Sequence, residues 1–213
     1  MSHAELRLFI FAEHYMAMPT IAKRVWTIAE VERLVDERRG YTPRYELVDG
    51  ELLVTPAPSL RHQRIVLELA VLVRDYVKRH RLGETVISPS TVSLAPDSRV
   101  EPDVYVVPAI GARLPRSTEL VTRLLLAAEV LSPSSARHDR FTKRRFFQKH
   151  GVPESWVVDG EAEAFEVWHP GDARASLIDD LLVWHPDGAP EPFRLDVRAF
   201  FASVADEAEG QGT

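Results

Sequence analysis

The chain has 213 residues, 45% of them hydrophobic, no cysteine and a formal net charge of -6. That length and apolar content suit one globular domain with a substantial core. The missing cysteines exclude disulfides and thiolate metal sites, and the acidic balance excludes a strongly basic, non-specific nucleic-acid binder while leaving room for a local basic patch.

Taken in chain order, residues 1–17 read as an N-terminal extension: the apolar LRLFIFA is short, runs into Glu13 and His14, and makes a poor signal peptide. A single domain is expected over 18–204, and ADEAEGQGT (205–213) reads as an acidic tail. No apolar run approaches the roughly 20 residues a membrane helix needs, so no membrane contact is expected. A reducing cytoplasm fits the absence of cysteine.

TIAEVERLVDER (27–38) spaces Ile28, Val31, Leu34 and Val35 as on a helix, with Thr27 as N-cap and Glu30 three residues on. RYELV and ELLVT flank Asp49-Gly50, a strong hairpin signal. SLRHQRIVLELAVLVRDYVKRH (59–80) is a long amphipathic helix capped by Ser59, its inner stripe being Ile65, Val66, Leu69, Leu72, Val73, Tyr76 and Val77. Extended stretches follow at 84–96 and 99–108, then a looser region (109–122) and an apolar strand (124–131). Residues 134–150 read as a helix stopped by Gly151 and Pro153. SWVVD and AFEVWHP make two strands around a GEAE turn, and LLVWHP and FRLDVRAFF suggest edge strands and a closing helix or turn. This order argues for an α/β fold with a central mixed sheet and helices packed on it. Periodicity does not decide which strands run parallel.

Glu129 sits inside the apolar strand, and Asp103 follows Pro102 at a strand start, where a side chain can be aimed at a cleft. Two ionised carboxylates buried on adjacent strands would cost several kcal/mol. A divalent cation between them reverses that penalty, and Mg²⁺ favours one or two carboxylates plus waters and phosphate. The plainer alternatives are, for Glu129, a salt bridge to a nearby arginine or a strand end reaching solvent, and, for Asp103, an ordinary turn residue at a strand start.

SSARHDRFTKRRFFQKHG carries six Lys/Arg between 137 and 149. On a helix, Asp139, Lys143, Phe146 or Phe147, and His150 share one stripe, while Arg140, Arg144 and Arg145 lie elsewhere, as on a solvated face. Lys143 thus shares a face with the phenylalanines that dock the helix. Its bland alternative is an i,i+4 pair with Asp139. His62, in the first turn of the long helix beside Arg61 and Arg64, is on residue type alone an ordinary surface histidine.

Five segments in order, YELVDGELLVTPAPSLRHQRIV, VEPDVYVV, AEVLSPSS, Asp139-Arg-Phe-Thr-Lys143 and GVPESWVVD, resemble the Uma2 family of the PD-(D/E)XK nuclease superfamily over residues 27–200. The resemblance implies a restriction-endonuclease-like core, with an additional N-terminal hairpin and C-terminal strands. It implies an endonuclease hydrolysing phosphodiester bonds in DNA, with a homodimer as one way to cut two strands. Asp103 would be the Asp of the PD motif and Glu129 the acid of the second motif, together holding Mg²⁺ or Mn²⁺, with the Val130 carbonyl as a further ligand.

The superfamily keeps a lysine two residues after that acid, and here the position is Leu131. The family pattern moves the role to the next helix, where Lys143 is the candidate. Glu46, and after it Glu51 or Glu68, stands for an extra acid near the first helix, and His62 matches a histidine of the pattern. Ser155 replaces an expected Tyr. The rival expectations are a non-catalytic or partner-dependent nucleic-acid-binding module on the same fold, and a plain α/β domain with salt-bridged carboxylates.

Overall fold

Thr27 closes the capping box expected of it, accepting from the Glu30 amide while the Glu30 carboxylate accepts from the Thr27 amide, and helix α1 (Ile28–Glu37) follows. The computed structural model describes residues 24–109 and 121–205. The expected extension, most of the loose 109–122 connection and nearly all of the acidic tail lie outside the described residues.

Strands β1 (Arg44–Val48) and β2 (Glu51–Thr55) pair antiparallel around Asp49 and Gly50. Both turn residues have positive φ, 48° and 77°, which a two-residue turn matching the strand twist requires. Ser59 caps helix α2 (Leu60–Arg79) by accepting from the His62 amide. The sheet then forms from β3 (Gly83–Ile87), β4 (Val104–Pro108), β5 (Leu126–Val130), β6 (Ser155–Asp159), β7 (Ala164–Trp168) and β8 (Ser176–Ile178), in that spatial order. Only β5 and β6 run parallel among these six; the other neighbours are antiparallel. A second pair, β9 (Leu181–Trp184) with β10 (Phe193–Asp196), and a closing helix α4 (Val197–Ser203) complete the described residues.

Between β5 and β6 the chain does not form the uniform α-helix that the periodicity predicts. His138–Lys143 is π-helical, with the Arg144 amide bonded to the Asp139 carbonyl, and α3 (Arg144–Lys149) continues from it. The inward stripe survives: Asp139, Lys143, Phe146 and Phe147 are the buried residues of these two segments. Such a π segment is frequent at functional sites because it re-aims side chains without ending the helix.

The sheet has a core on each face. On one, α2 packs Ile65, Leu69, Val73 and Val77 against Val104, Val106, Ala128 and Val130, and the aromatics Trp156, Phe165, Trp184 and Phe193 extend it. On the other, Phe146 and Phe147 of α3 and Val48 and Leu53 of the hairpin meet Tyr105, Val107 and Ala127. Strand alternation puts Glu129 on the same face as Ala127, toward the hairpin and α3.

Candidate active site

The ladder of β4 and β5 pairs Val104 with Ala128, and continuing it by one residue sets Asp103 opposite Glu129. Opposite residues of an antiparallel pair share a face, so the two carboxylates emerge side by side. Both are buried, 2% exposed each. Pro102 precedes Asp103 where β4 begins, and the Val130 amide donates to Asp103 Oδ2 at 3.0 Å.

β1 brings two residues of one face to the same place. Arg44 Nη1 donates to Asp103 Oδ1 at 3.0 Å, and Glu46 Oε1 accepts from the Glu101 amide at 2.8 Å. The π segment brings Lys143, 1% exposed, whose Nζ lies 2.9 Å from Glu46 Oε1 and 2.6 Å from Glu129 Oε1. The Glu129 contact is a close ion pair. α2 brings His62 Nε2 to 3.5 Å from Asp103 Oδ1.

The structure therefore gathers Asp103, Glu129, Lys143, Glu46 and His62, and Val130 through its backbone. Glu129 is paired, but to Lys143 rather than to an arginine. Lys143 is drawn to Glu46 and Glu129, and Asp139 acts on it as a further negative charge. His62 is buried rather than on the surface. Glu51 instead edges an outer groove with Arg137 and His138, and Glu68 lies on α2. The arginines of this helix are not a uniformly solvated face. Arg140 binds Glu166 and Asp159, each at 2.6 Å, and Arg144 lies over the Trp168 ring, which leaves Arg145 as the exposed one of the three.

Two members were not singled out for the site from sequence. Arg44 was detectable, since the period of two in RYELV puts it on the face of Glu46. Asp139 stood in the inward stripe, but only as a partner for Lys143.

Burial governs protonation here, and neighbouring charges modify it. Burial pushes the Glu129 carboxyl well above its ordinary range; Lys143 opposes this, and Asp139, Asp103 and Glu46 reinforce it. Asp139 is pushed up to about 6, mainly by burial. Burial would raise Asp103 too, but His62, Arg44 and Lys143 outweigh it and hold this carboxyl well below its usual range. Burial alone would lower Lys143, yet Glu129, Glu46, Asp139 and Asp103 together hold its ammonium firmly protonated.

Hard oxygen donors are what Mg²⁺ or Mn²⁺ takes, and two carboxylates suffice for Mg²⁺ when waters and substrate oxygens complete the shell. Among the described residues no group of three or more His, Asp or Glu side chains forms a ligand cluster; a cation on Asp103 and Glu129 would need waters and substrate oxygens for the rest of its shell. One observation fits that cation: the carboxyl groups of Glu46, Asp103, Glu129 and Asp139 outnumber the fixed cations Arg44 and Lys143 around them.

The family model Uma2, described as "Putative restriction endonuclease", matches residues 28–197. No curated protein matches the chain. Among solved structures, one described as "a putative nuclease belonging to DUF820", from Anabaena variabilis ATCC 29413, aligns with a TM-score of 0.67 at 22% identity. The alignment covers 82% of this chain and 98% of that one, and it shows a shared fold. Among the described residues no helix is long and apolar enough to cross a membrane. With its model matched across most of the described residues, the chain belongs to the Uma2 family.

Proposed function

We propose that the protein is a metal-dependent endonuclease of the PD-(D/E)XK kind, hydrolysing phosphodiester bonds in DNA. Asp103 and Glu129 would hold Mg²⁺ or Mn²⁺, with the Val130 carbonyl as a further ligand. The observation that carries this reading is the approach of Lys143 Nζ to within 2.6 Å of Glu129. A lysine from the next helix thus stands beside the acid whose customary lysine position holds Leu131.

When bound, the cation would polarise the phosphate and lower the pKa of a ligated water. The protein's own residues supply the rest. Arg44 and the Val130 amide fix both oxygens of Asp103, which stays ionised as a ligand must. Lys143 carries a permanent charge to set against the negative charge that grows on the phosphoryl oxygens, and its ammonium protons orient the attacking water. Glu46, anchored by the Glu101 amide, holds Lys143 in place. His62, beside Asp103, serves as the base or the outer proton carrier. Cleavage of both strands of a duplex would call for two such sites, as in a homodimer.

One observation favours the second reading, a nucleic-acid-binding module without catalysis: Asp103, Glu129, Glu46 and Lys143 are all buried, and Lys143 already neutralises Glu129. Cleavage of plasmid DNA separates the two. The nuclease reading expects wild-type protein to cut with Mg²⁺ and Asp103→Ala to lose that cleavage. A variant that cuts as fast as wild type refutes the assignment.

A further inference from the structure

Resting on the nuclease reading, we propose that a pocket at the carboxyl end of β5 and β6 takes one unstacked nucleobase beside the scissile phosphate, with Leu131 in its wall. The preferred substrate is then single-stranded or locally melted DNA.

Position is the first argument. β5 and β6 are the parallel pair of the sheet, and ligands of open α/β sheets collect beyond the carboxyl ends of parallel strands. The pocket lies there, between the residues that follow β5 (Leu131 to Pro133) and those that end and follow β6 (Asp159 to Glu161). It shares His62 with the candidate active site, and His62 Nε2 is 3.5 Å from Asp103. A group held here would sit one side chain away from the catalytic carboxylates.

The lining supplies the second argument. Ile65, Leu131, Pro133 and Ala136 give the apolar part of the lining, which suits the face of a base, and the Arg61–Glu161 and Arg140–Asp159 pairs give a charged part. Two buried nitrogens on lining residues, Arg61 Nε and His62 Nδ1, have no hydrogen-bond partner among the described residues. His62 is 6% exposed, so water reaches it poorly, and an unpaired buried polar atom is costly unless a ligand satisfies it. Base edges carry both kinds of group: an acceptor for the Arg61 Nε–H, and for His62 Nδ1, whose ring presents Nε2 to Asp103, a donor. Gly160 packs directly against Ile65, where a Cβ would come within 2.8 Å of Ile65 Cδ1.

Size sets the third. The pocket holds about 250 Å³, below the ~300 Å³ at which drug-sized ligand sites begin, and so suits a base or nucleoside rather than a length of chain. A base stacked within a duplex cannot enter a walled pocket; it must first leave the stack, which costs least in single strands. The same geometry accounts for Leu131. With Lys143 beside Glu129, the charge that a lysine at 131 would bring is already supplied.

Equilibrium binding of a labelled oligonucleotide, single-stranded or annealed to its complement, tests this in EDTA, where nothing is cut. The wild type should bind the single strand at least about tenfold tighter, equivalent to about 1.4 kcal/mol. 2-Aminopurine in the oligonucleotide should report unstacking. Leu131→Asp, and independently Ala136→Phe, should bring the ratio of the two affinities to about one, while Leu131→Val retains the preference. Equal binding of both forms by the wild type, with Mg²⁺-dependent cleavage intact, overturns the pocket and leaves the nuclease standing. So does a preference that survives in both folded variants. Binding of neither form, with no cleavage, overturns the nuclease reading and the pocket with it.

Discussion

On the face of the sheet that carries α2, Leu69 and Val73 meet Val104, Ala128 and Val130 in an apolar contact. On the opposite face Phe146 and Phe147 make a similar apolar seat, but one turn earlier the same helix sends Lys143 and Asp139 into the space above Glu129 and Asp103. The first face gains stability from every side chain it buries, on the order of 1.5–3 kcal/mol for each large aliphatic. The second carries buried charge that an apolar replacement of similar shape would commonly match or better. Carboxylates kept in such a place are explained by chemistry rather than by folding, and active sites are where such perturbed groups gather.

The sharpest way to break this contrast is Lys143→Met, which keeps the length of the side chain and removes its charge. Cleavage should fall by about 10²–10³-fold, the scale for losing one preorganised charge or donor. Stability should fall by about 3–5 kcal/mol at neutral pH, because Glu129 and Glu46 lose their buried partner. Denaturant titration at pH 5 should show a smaller loss, as the orphaned Glu129 carboxyl, already raised by burial, protonates. A variant as stable and as active as wild type would mean that the charged face is inert.

Leu69→Ala tests the apolar face. It should cost about 2–5 kcal/mol, the range for truncating a fully buried leucine, while activity per folded molecule stays near wild type. A selective loss of activity with unchanged stability would show that the two faces are not separable in this way.

Asp139 gives the smallest effect, and one of opposite sign. Its carboxyl is raised from an ordinary 3.8 to about 6 in the fold, so between those values the native state holds more protons than the unfolded chain. Its contribution to stability therefore falls as pH rises from about 4 to about 6 and stays unfavourable above. Asp139→Asn should stabilise the protein at pH 7–8 by about 1–3 kcal/mol and flatten that acid-side slope. Unchanged stability across this range would mean that the carboxyl is not strained.

Much of this arrangement was legible in the sequence because it rests on local rules. The Thr27–Glu30 box, the Asp49-Gly50 turn and the Ser59 cap each depend on side chains within a few residues of the backbone they satisfy. The inward aim of Lys143 followed from its spacing to Phe146 and Phe147. The π segment was not legible, since a change from α to π leaves the apolar stripe nearly in place. Nor was the burial of His62, because a first-turn histidine becomes buried only when Asp103 arrives from a distant strand. Strand direction and the reach of Arg44 to Asp103 are likewise set by tertiary packing rather than by neighbours in the chain.

The most direct test of the account compares wild type with Glu129→Gln on plasmid and single-stranded DNA, with Mg²⁺, with Mn²⁺ and with EDTA. Glutamine keeps the shape of a carboxyl that burial already disfavours as an anion, so the variant should fold. The account predicts cleavage by the wild type with either metal, none in EDTA, and none by the variant under any condition. Cleavage by Glu129→Gln at the wild-type rate, or by the wild type in EDTA, would contradict it.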